Sequence, residues 1–346
     1  MQRSRLLTAL TAVLTAALTA VVLTGGAAAA APAPSTGEYA PLDQRGPALS
    51  VPQAELRASL TCNGPLRALR QDPILLVPGT TMDPYVGFDW NYMRAFDQRG
   101  WRWCAVTLPF DATGDIQVAG EYLVHAIRTM SQQARRDVDV VGWSQGGMVP
   151  RWALRFWPDT RELVDDLVGL SPSNHGTVLA DASCSTGPCT PANHQQASQS
   201  EFLRALNSGA ETFAGVDYTV AYTAADEIVV PNTPPLASSA LRTGAGRVAN
   251  IATQEVCPAN AADHFAIGSH DPVGYAIVVD ALTHDGPAVR GRIPLTTCAQ
   301  VLQPGVDPAT FTADHAAFVG YAVDGEGDAP EVDDEPALAP YVRARR

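Results

Sequence analysis

The sequence predicts an α/β fold, a mostly parallel central sheet with helices on both faces, and three observations carry that prediction. Short apolar runs recur along the chain and are cut off by Pro or Gly, and longer stretches between them carry apolar residues at helical spacing. The 346 residues are 46% hydrophobic and 17% charged, enough apolar side chain for one sizeable core.

In chain order, Arg3 and Arg5 precede an apolar run from Leu6 to Leu23 and small residues through Ala31. That is the pattern of a signal peptide, so residues 1–30 are expected to be removed on export. Residues 31–50, rich in Pro, Gly and Ala without periodicity, are expected to form an extended N-terminal arm. Ile74 to Val77, stopped by Pro78-Gly79, and Cys104 to Leu108, stopped by Pro109, read as buried strands, with a helix near Asn91 to Arg99 between them. From Asp115 to Arg135, Val118, Tyr122, Ala126 and Met130 fall four apart, and Asp115 suits the cap of a helix that packs on the sheet. Val138 to Gly142 is the next strand and Gly146 to Phe156 the next helix, where Pro150 predicts a late start or a kink because it removes a helical hydrogen bond. Asp166 to Leu170, Tyr218 to Thr223 and Arg247 to Thr253 complete the strands; Pro272 to Leu282 and Pro308 to Val323 read as helices. The α/β domain is thus expected over residues 51–323, followed by an acidic, Pro/Gly-rich solvated tail over 324–346.

Charge and cysteines narrow the classes. Loss of the leader removes two arginines and no acid, which takes the net charge from −13 to −15, and no lysine occurs anywhere. Nucleic-acid binding is therefore excluded as a leading reading. Six cysteines in an exported chain suit three disulfides; fifteen connectivities are open, and pairing in chain order joins Cys62 to Cys104, Cys184 to Cys189 and Cys257 to Cys298. No CxxC or HExxH occurs, so no metal is expected.

Gly142-Trp-Ser-Gln-Gly146 matches G-x-S-x-G straight after an apolar strand and at the opening of a helix. A nucleophilic serine needs that sharp turn to expose its hydroxyl, and the flanking glycines give the turn its room, so Ser144 is the candidate nucleophile. A serine hydroxyl needs an imidazole to take its proton and a carboxylate to hold the imidazole, in the order Ser, acid, His on this fold. Asp226, after the strand ending at Thr223, is the leading acid, with Glu227 and Asp217 nearby. Order sets aside His125, His175 and His194. His264 leads, His270 is the alternative, and His284 and His315 read as surface residues. The amides of Thr80 and Gln145 are the expected oxyanion donors.

These residues resemble the Candida antarctica lipase B-like α/β-hydrolases. Pro73 to Thr80, Trp143 to Gly147, Gly176 to Ala180, Ala225 to Val229 and Asp263-His264 match that family's blocks in the same order, covering roughly residues 60 to 303. The resemblance implies the α/β-hydrolase fold, a Ser144–Asp226–His264 triad, an oxyanion hole at Thr80 and Gln145, and Trp143 as the floor of an alcohol-sorting pocket. It also implies the Cys62–Cys104 and Cys257–Cys298 bridges. The family's G-T-G-T-T stretch reads Gly79-Thr-Thr-Met-Asp83 here, so Thr81 and Met82 are expected to alter the alcohol-side wall. Its Pro-Asp becomes Pro172-Ser173, and the Cys184–Cys189 loop is an addition, either a lid or an inert surface excursion. The function expected is a secreted serine ester hydrolase, a lipase acting on triacylglycerol or long-chain esters, with no cofactor and with transient contact at a lipid interface. Short-chain esterase, polyester hydrolase and acyltransferase use the same machinery, whereas a purely binding protein would need a broken triad.

Overall fold

The structure, a computed structural model, describes residues 38–324 and 329–344. The expected signal peptide lies outside the described residues. Among the described residues seven strands form one sheet: β1 (Leu60–Cys62), β2 (Ile74–Val77), β3 (Trp103–Val106), β4 (Val138–Trp143), β5 (Val164–Leu170), β6 (Asp217–Tyr222) and β7 (Arg247–Ala252). Their order is β1-β3-β2-β4-β5-β6-β7, parallel throughout except for β1, which runs antiparallel along the edge of β3. Burial on both faces is why β2 and β4 read as unbroken apolar runs rather than alternating ones.

Among the described residues the α-helices that accompany the sheet are α1 (Gln53–Ala58), α2 (Pro84–Phe88), α3 (Arg94–Gln98), α4 (Ile116–Ala134), α5 (Gln145–Phe156), α6 (Val178–Cys184), α7 (Pro191–Gln196), α8 (Glu201–Leu206), α9 (Thr253–Val256), α10 (His264–Ser269), α11 (Pro272–Leu282) and α12 (Phe311–Asp324). On one face Leu75, Val140 and Leu167 pack with Ile127 of α4 and Trp152 of α5; on the other Leu76, Val141 and Val168 pack with Phe96 of α3 and Ile277 of α11. Asp115 caps α4 by accepting the Gln117 amide at 2.9 Å. The buried stripe of α4 is broader than expected and includes Leu123 and Ile127, while Val118 is 37% exposed. Among the described residues no helix is long and apolar enough to cross a membrane.

The three disulfides join Cys62 to Cys104, Cys184 to Cys189 and Cys257 to Cys298. Cys62 ends β1, directly opposite Cys104 in the β1–β3 register.

The C-terminal segment differs from expectation. Residues 329–344 are not a solvated tail but run back over the body. Val332 pairs with Cys189, the Glu335 carboxylate accepts the amides of Glu201 and Phe202 at 2.9 and 2.7 Å, and Val342 is fully buried. The Tyr341 hydroxyl accepts the Trp152 indole N–H at 3.0 Å. Composition averaged away these few apolar anchors among the acids. The described part of the N-terminal arm, from residue 38, is packed as well: Tyr39 bridges to Arg343, and the Trp157 indole donates to the Pro47 carbonyl at 2.9 Å.

Candidate active site

Ser144 lies between β4 and α5 with φ 57° and ψ −127°, a left-handed backbone that a serine adopts only under constraint. The constraint is packing around the turn. A Cβ on Gly142 would lie 1.9 Å from the Gly146 carbonyl oxygen, and one on Gly146 would lie 2.2 Å from the Val77 carbonyl oxygen. Only glycine lets β4, the turn and β2 approach this closely. Pro150 produces no late start, because α5 begins at Gln145 and carries the proline inside it. The amide that Pro150 lacks is the one that would bond the Gly146 carbonyl, the oxygen pressed against Gly142.

Asp226 follows β6 and is held on several sides. Its Oδ1 accepts the amides of Ile228 and Val229 at 3.1 and 2.7 Å, and its Oδ2 accepts Asn232 Nδ2 at 3.0 Å. His264 Nδ1 lies 3.0 Å from Asp226 Oδ1 and 3.1 Å from Oδ2. Burial alone would raise this carboxyl, but the His264 charge and hydrogen bond and the Val229 amide outweigh it and hold the group below the usual carboxylate range.

His264 is the first residue of α10, capped by Asp263, which accepts the Ala266 amide at 2.7 Å. Its own backbone N–H donates to Glu227 Oε2 at 3.0 Å, and its carbonyl accepts the Trp143 indole at 3.0 Å. Both ends of its peptide are thereby fixed by residues next to Asp226 and Ser144.

Thr80 and Gln145 are joined directly. Thr80 Oγ1 accepts from Gln145 Nε2 at 3.0 Å and from Gln196 Nε2 at 2.9 Å. With both lone pairs of the hydroxyl engaged, its proton is left to be donated. Gln145 Nε2 also reaches the Ala112 carbonyl at 2.8 Å, and Gln196 Oε1 accepts the Ser173 hydroxyl at 2.8 Å, which fixes both amides.

Ser144, His264, Trp143, Thr80 and Gln196 line one cleft of about 230 Å³, walled by Leu179, Ile228, Val229, Phe265, Ala322 and Val323. Thr81 is at its edge, but Met82 is not: it is fully buried and packs beside Gly87, away from the expected alcohol-side wall. His270 is also elsewhere. It faces a separate cavity of about 510 Å³ together with His315, and burial and the His315 charge lower it to about 4. The helices on either side of the Cys184–Cys189 loop reach the cleft: α6 supplies Leu179, Ala180 and Ser183, and α7 supplies Asn193 and Gln196.

Sequence reasoning missed Gln196, Asn232 and the apolar walls from α6 and α12. Asn232 follows the Asp226 block closely enough to be suspected; Gln196 carries no linear signal, because its partner Thr80 is 116 residues away.

Residues 121–245 match the family model described as Lipase (class 2). Over 302 residues the chain is 34% identical to Lipase B of Pseudozyma antarctica, covering 86% of each protein. The crystal structure of Aspergillus fumigatus lipase B superposes with a TM-score of 0.78 at 29% identity, covering 87% of this chain and 74% of that one. A Bacillus licheniformis lipase in its propeptide form, 18% identical with a TM-score of 0.50 over 66% of this chain and 54% of that one, shares the fold alone.

Proposed function

The chain belongs to the lipase B family and is an ester hydrolase of the lipase class, and on that premise we propose that it works through an acyl-enzyme on Ser144, with His264 as base and acid and Asp226 as its anchor. The observation that carries this reading is the buried 3.0 Å contact between His264 Nδ1 and Asp226 at a cleft that Ser144 also lines. A proton held on Nδ1 leaves the Nε2 lone pair to accept the serine proton as Oγ attacks the ester carbonyl. The Thr80 hydroxyl and the amides of Thr80 and Gln145 receive the negative oxygen. Collapse expels the alcohol with the proton from His264, and water repeats the sequence in reverse to release the acid. This chemistry needs no cofactor.

The acyl chain runs along Leu179, Ile228 and Val229, with Trp143 flooring the alcohol side. A cleft of about 230 Å³ encloses only a short or medium chain, and a longer one continues over the exposed Val178, Leu179 and Val323, the surface that meets a lipid interface. The small enclosed volume also favours a second reading, a short-chain carboxylesterase. Three disulfides and the leader-like first 30 residues support secretion after cleavage near Ala30. One hydrolase domain, residues 51–323, carries the chemistry.

Hydrolysis of p-nitrophenyl esters from acetate to palmitate, with Ser144→Ala alongside, tests both readings. Activity lost in the variant and highest on long chains supports the lipase reading. A maximum at acetate or butyrate supports the esterase, and activity that survives the substitution removes Ser144 from the mechanism.

A further inference from the structure

Between β3 and α4, Phe110, Asp111 and Ala112 follow one another with φ of 53°, 49° and 64°, consecutive left-handed residues of which none is glycine. That backbone brings Cβ against the following carbonyl oxygen, so such residues occur singly unless their surroundings impose more. Burial of the largest side chain does not impose them here, since Phe110 is 55% exposed.

What the turn achieves is the aim of its carbonyls. The Phe110 carbonyl accepts the Thr113 amide and hydroxyl at 2.9 and 2.6 Å, that of Asp111 accepts the Met82 amide at 3.0 Å, and that of Ala112 accepts Gln145 Nε2 at 2.8 Å. The last two reach the segments expected to supply the oxyanion donors, because Met82 lies two residues after Thr80 and Gln145 Nε2 also donates to Thr80 Oγ1 at 3.0 Å. Both protons of the Gln145 amide are thus assigned, one to Ala112 and one to Thr80, while its Oε1 is buried without a hydrogen-bond partner. A flipped amide would satisfy that oxygen on the Thr80 hydroxyl, and the proton would be lost to the oxyanion. The Ala112 carbonyl opposes the flip, because it would then face an oxygen. The turn is tied in turn to α12: Asp111 Oδ2 accepts the Tyr321 hydroxyl at 2.8 Å, beside Ala322 and Val323 of the cleft wall.

We propose that Asp111 is a positioning residue for the oxyanion hole: anchored on Tyr321, it holds the turn so that the Ala112 carbonyl keeps Gln145 Nε2, not Oε1, against Thr80. The Thr80 proton stays available to the negative oxygen. Asp111 does not line the cleft, and its effect falls on the transition state, where that charge develops. The inference rests on the acyl-enzyme reading above and adds to it what orients the hydroxyl donor.

The test compares Asp111→Ala and Tyr321→Phe with Asp111→Asn, which keeps an acceptor for Tyr321 and tolerates a left-handed backbone. Steady-state kinetics on p-nitrophenyl butyrate and Tm are read together with inhibition by an alkyl trifluoromethyl ketone, whose adduct on Ser144 carries a negative oxygen where the intermediate does. Asp111→Ala and Tyr321→Phe are each expected to lower kcat per folded molecule by about tenfold to a hundredfold. KM stays within about threefold, and ketone inhibition weakens by the same factor as kcat. Asp111→Asn stays within about threefold of the parent in kcat, and combining Asp111→Ala with Tyr321→Phe costs no more than either alone. A fall in Tm with kcat and inhibition intact shows that the anchor serves stability alone and overturns the proposal, as does a loss confined to KM or an Asp111→Asn variant as slow as Asp111→Ala. Ser144→Ala separates this inference from the reading beneath it. If that variant still hydrolyses the ester, the acyl-enzyme reading fails and takes the proposal with it; if it is inert while Asp111→Ala keeps full kcat, the proposal alone fails.

Discussion

His264 and His270 stand six positions apart, yet one lines the cleft and the other a separate cavity. Replacing His264 by Ala is expected to lower kcat by about ten-thousandfold or more, whereas His270→Ala leaves it within about threefold; steady-state kinetics on p-nitrophenyl butyrate decide, and the reverse ranking moves the base. Thr80→Val keeps the shape but loses the hydroxyl donor, with an expected loss of about a hundredfold to a thousandfold in kcat and little change in KM. An equal loss in binding would show that the hydroxyl serves substrate affinity instead. At this scale the sequence was legible wherever chemistry imposes a local pattern: glycines two residues either side of Ser144, an acid just after a strand, a histidine beyond it. Gln196 and Asn232 were not legible, because each acts by hydrogen-bonding a residue whose role must be known first. Met82 misled because its place in a family-like block suggested a cleft wall while its apolar side chain takes a core site.

The strands were legible as elements because burial on both faces writes them as apolar runs, and α4, α5 and α11 because their length gives helical spacing room to show. The edge strand β1 spans three residues and α6 to α8 only six or seven each, too short for periodicity to declare itself. α10 was hidden for the same reason, although Asp263 before His264 is a cap in hindsight. The disulfides act at this scale. In the loop-entropy model, closing 42 residues between Cys62 and Cys104 contributes roughly 4 kcal/mol and closing 5 between Cys184 and Cys189 roughly 2 kcal/mol. Replacing both members of each pair by Ala is therefore expected to lower unfolding free energy more for the first than the second in guanidinium titrations; the opposite order would locate their effect in native contacts around the cleft.

Across the whole molecule, buried polar groups link segments far apart in the chain. Arg151 of α5 donates to the Glu211 carbonyl at 3.2 Å, Asn174 Oδ1 at 3.1 Å and Asn207 Oδ1 at 2.7 Å. Burial would raise Glu211, but the His175 hydrogen bond and the Arg151 charge bring it down to about 2. A carboxyl held below its unfolded value contributes stability that is complete above about pH 4.5 and is lost as pH falls towards 2. Glu211→Gln should thus lower Tm at neutral pH by a margin that shrinks between those limits, and a margin constant over that range contradicts the linkage. The C-terminal segment was illegible as structure because its acids dominate its composition while Tyr341 and Val342 anchor it.

The proposed acyl-enzyme on Ser144 is tested most directly by intact-mass and peptide mass spectrometry after treatment with a fluorophosphonate. The account predicts one adduct per molecule, on the peptide carrying Ser144, none in Ser144→Ala, and loss of ester hydrolysis in step with labelling. An adduct on another residue, or an enzyme that stays fully active when labelled, would contradict it.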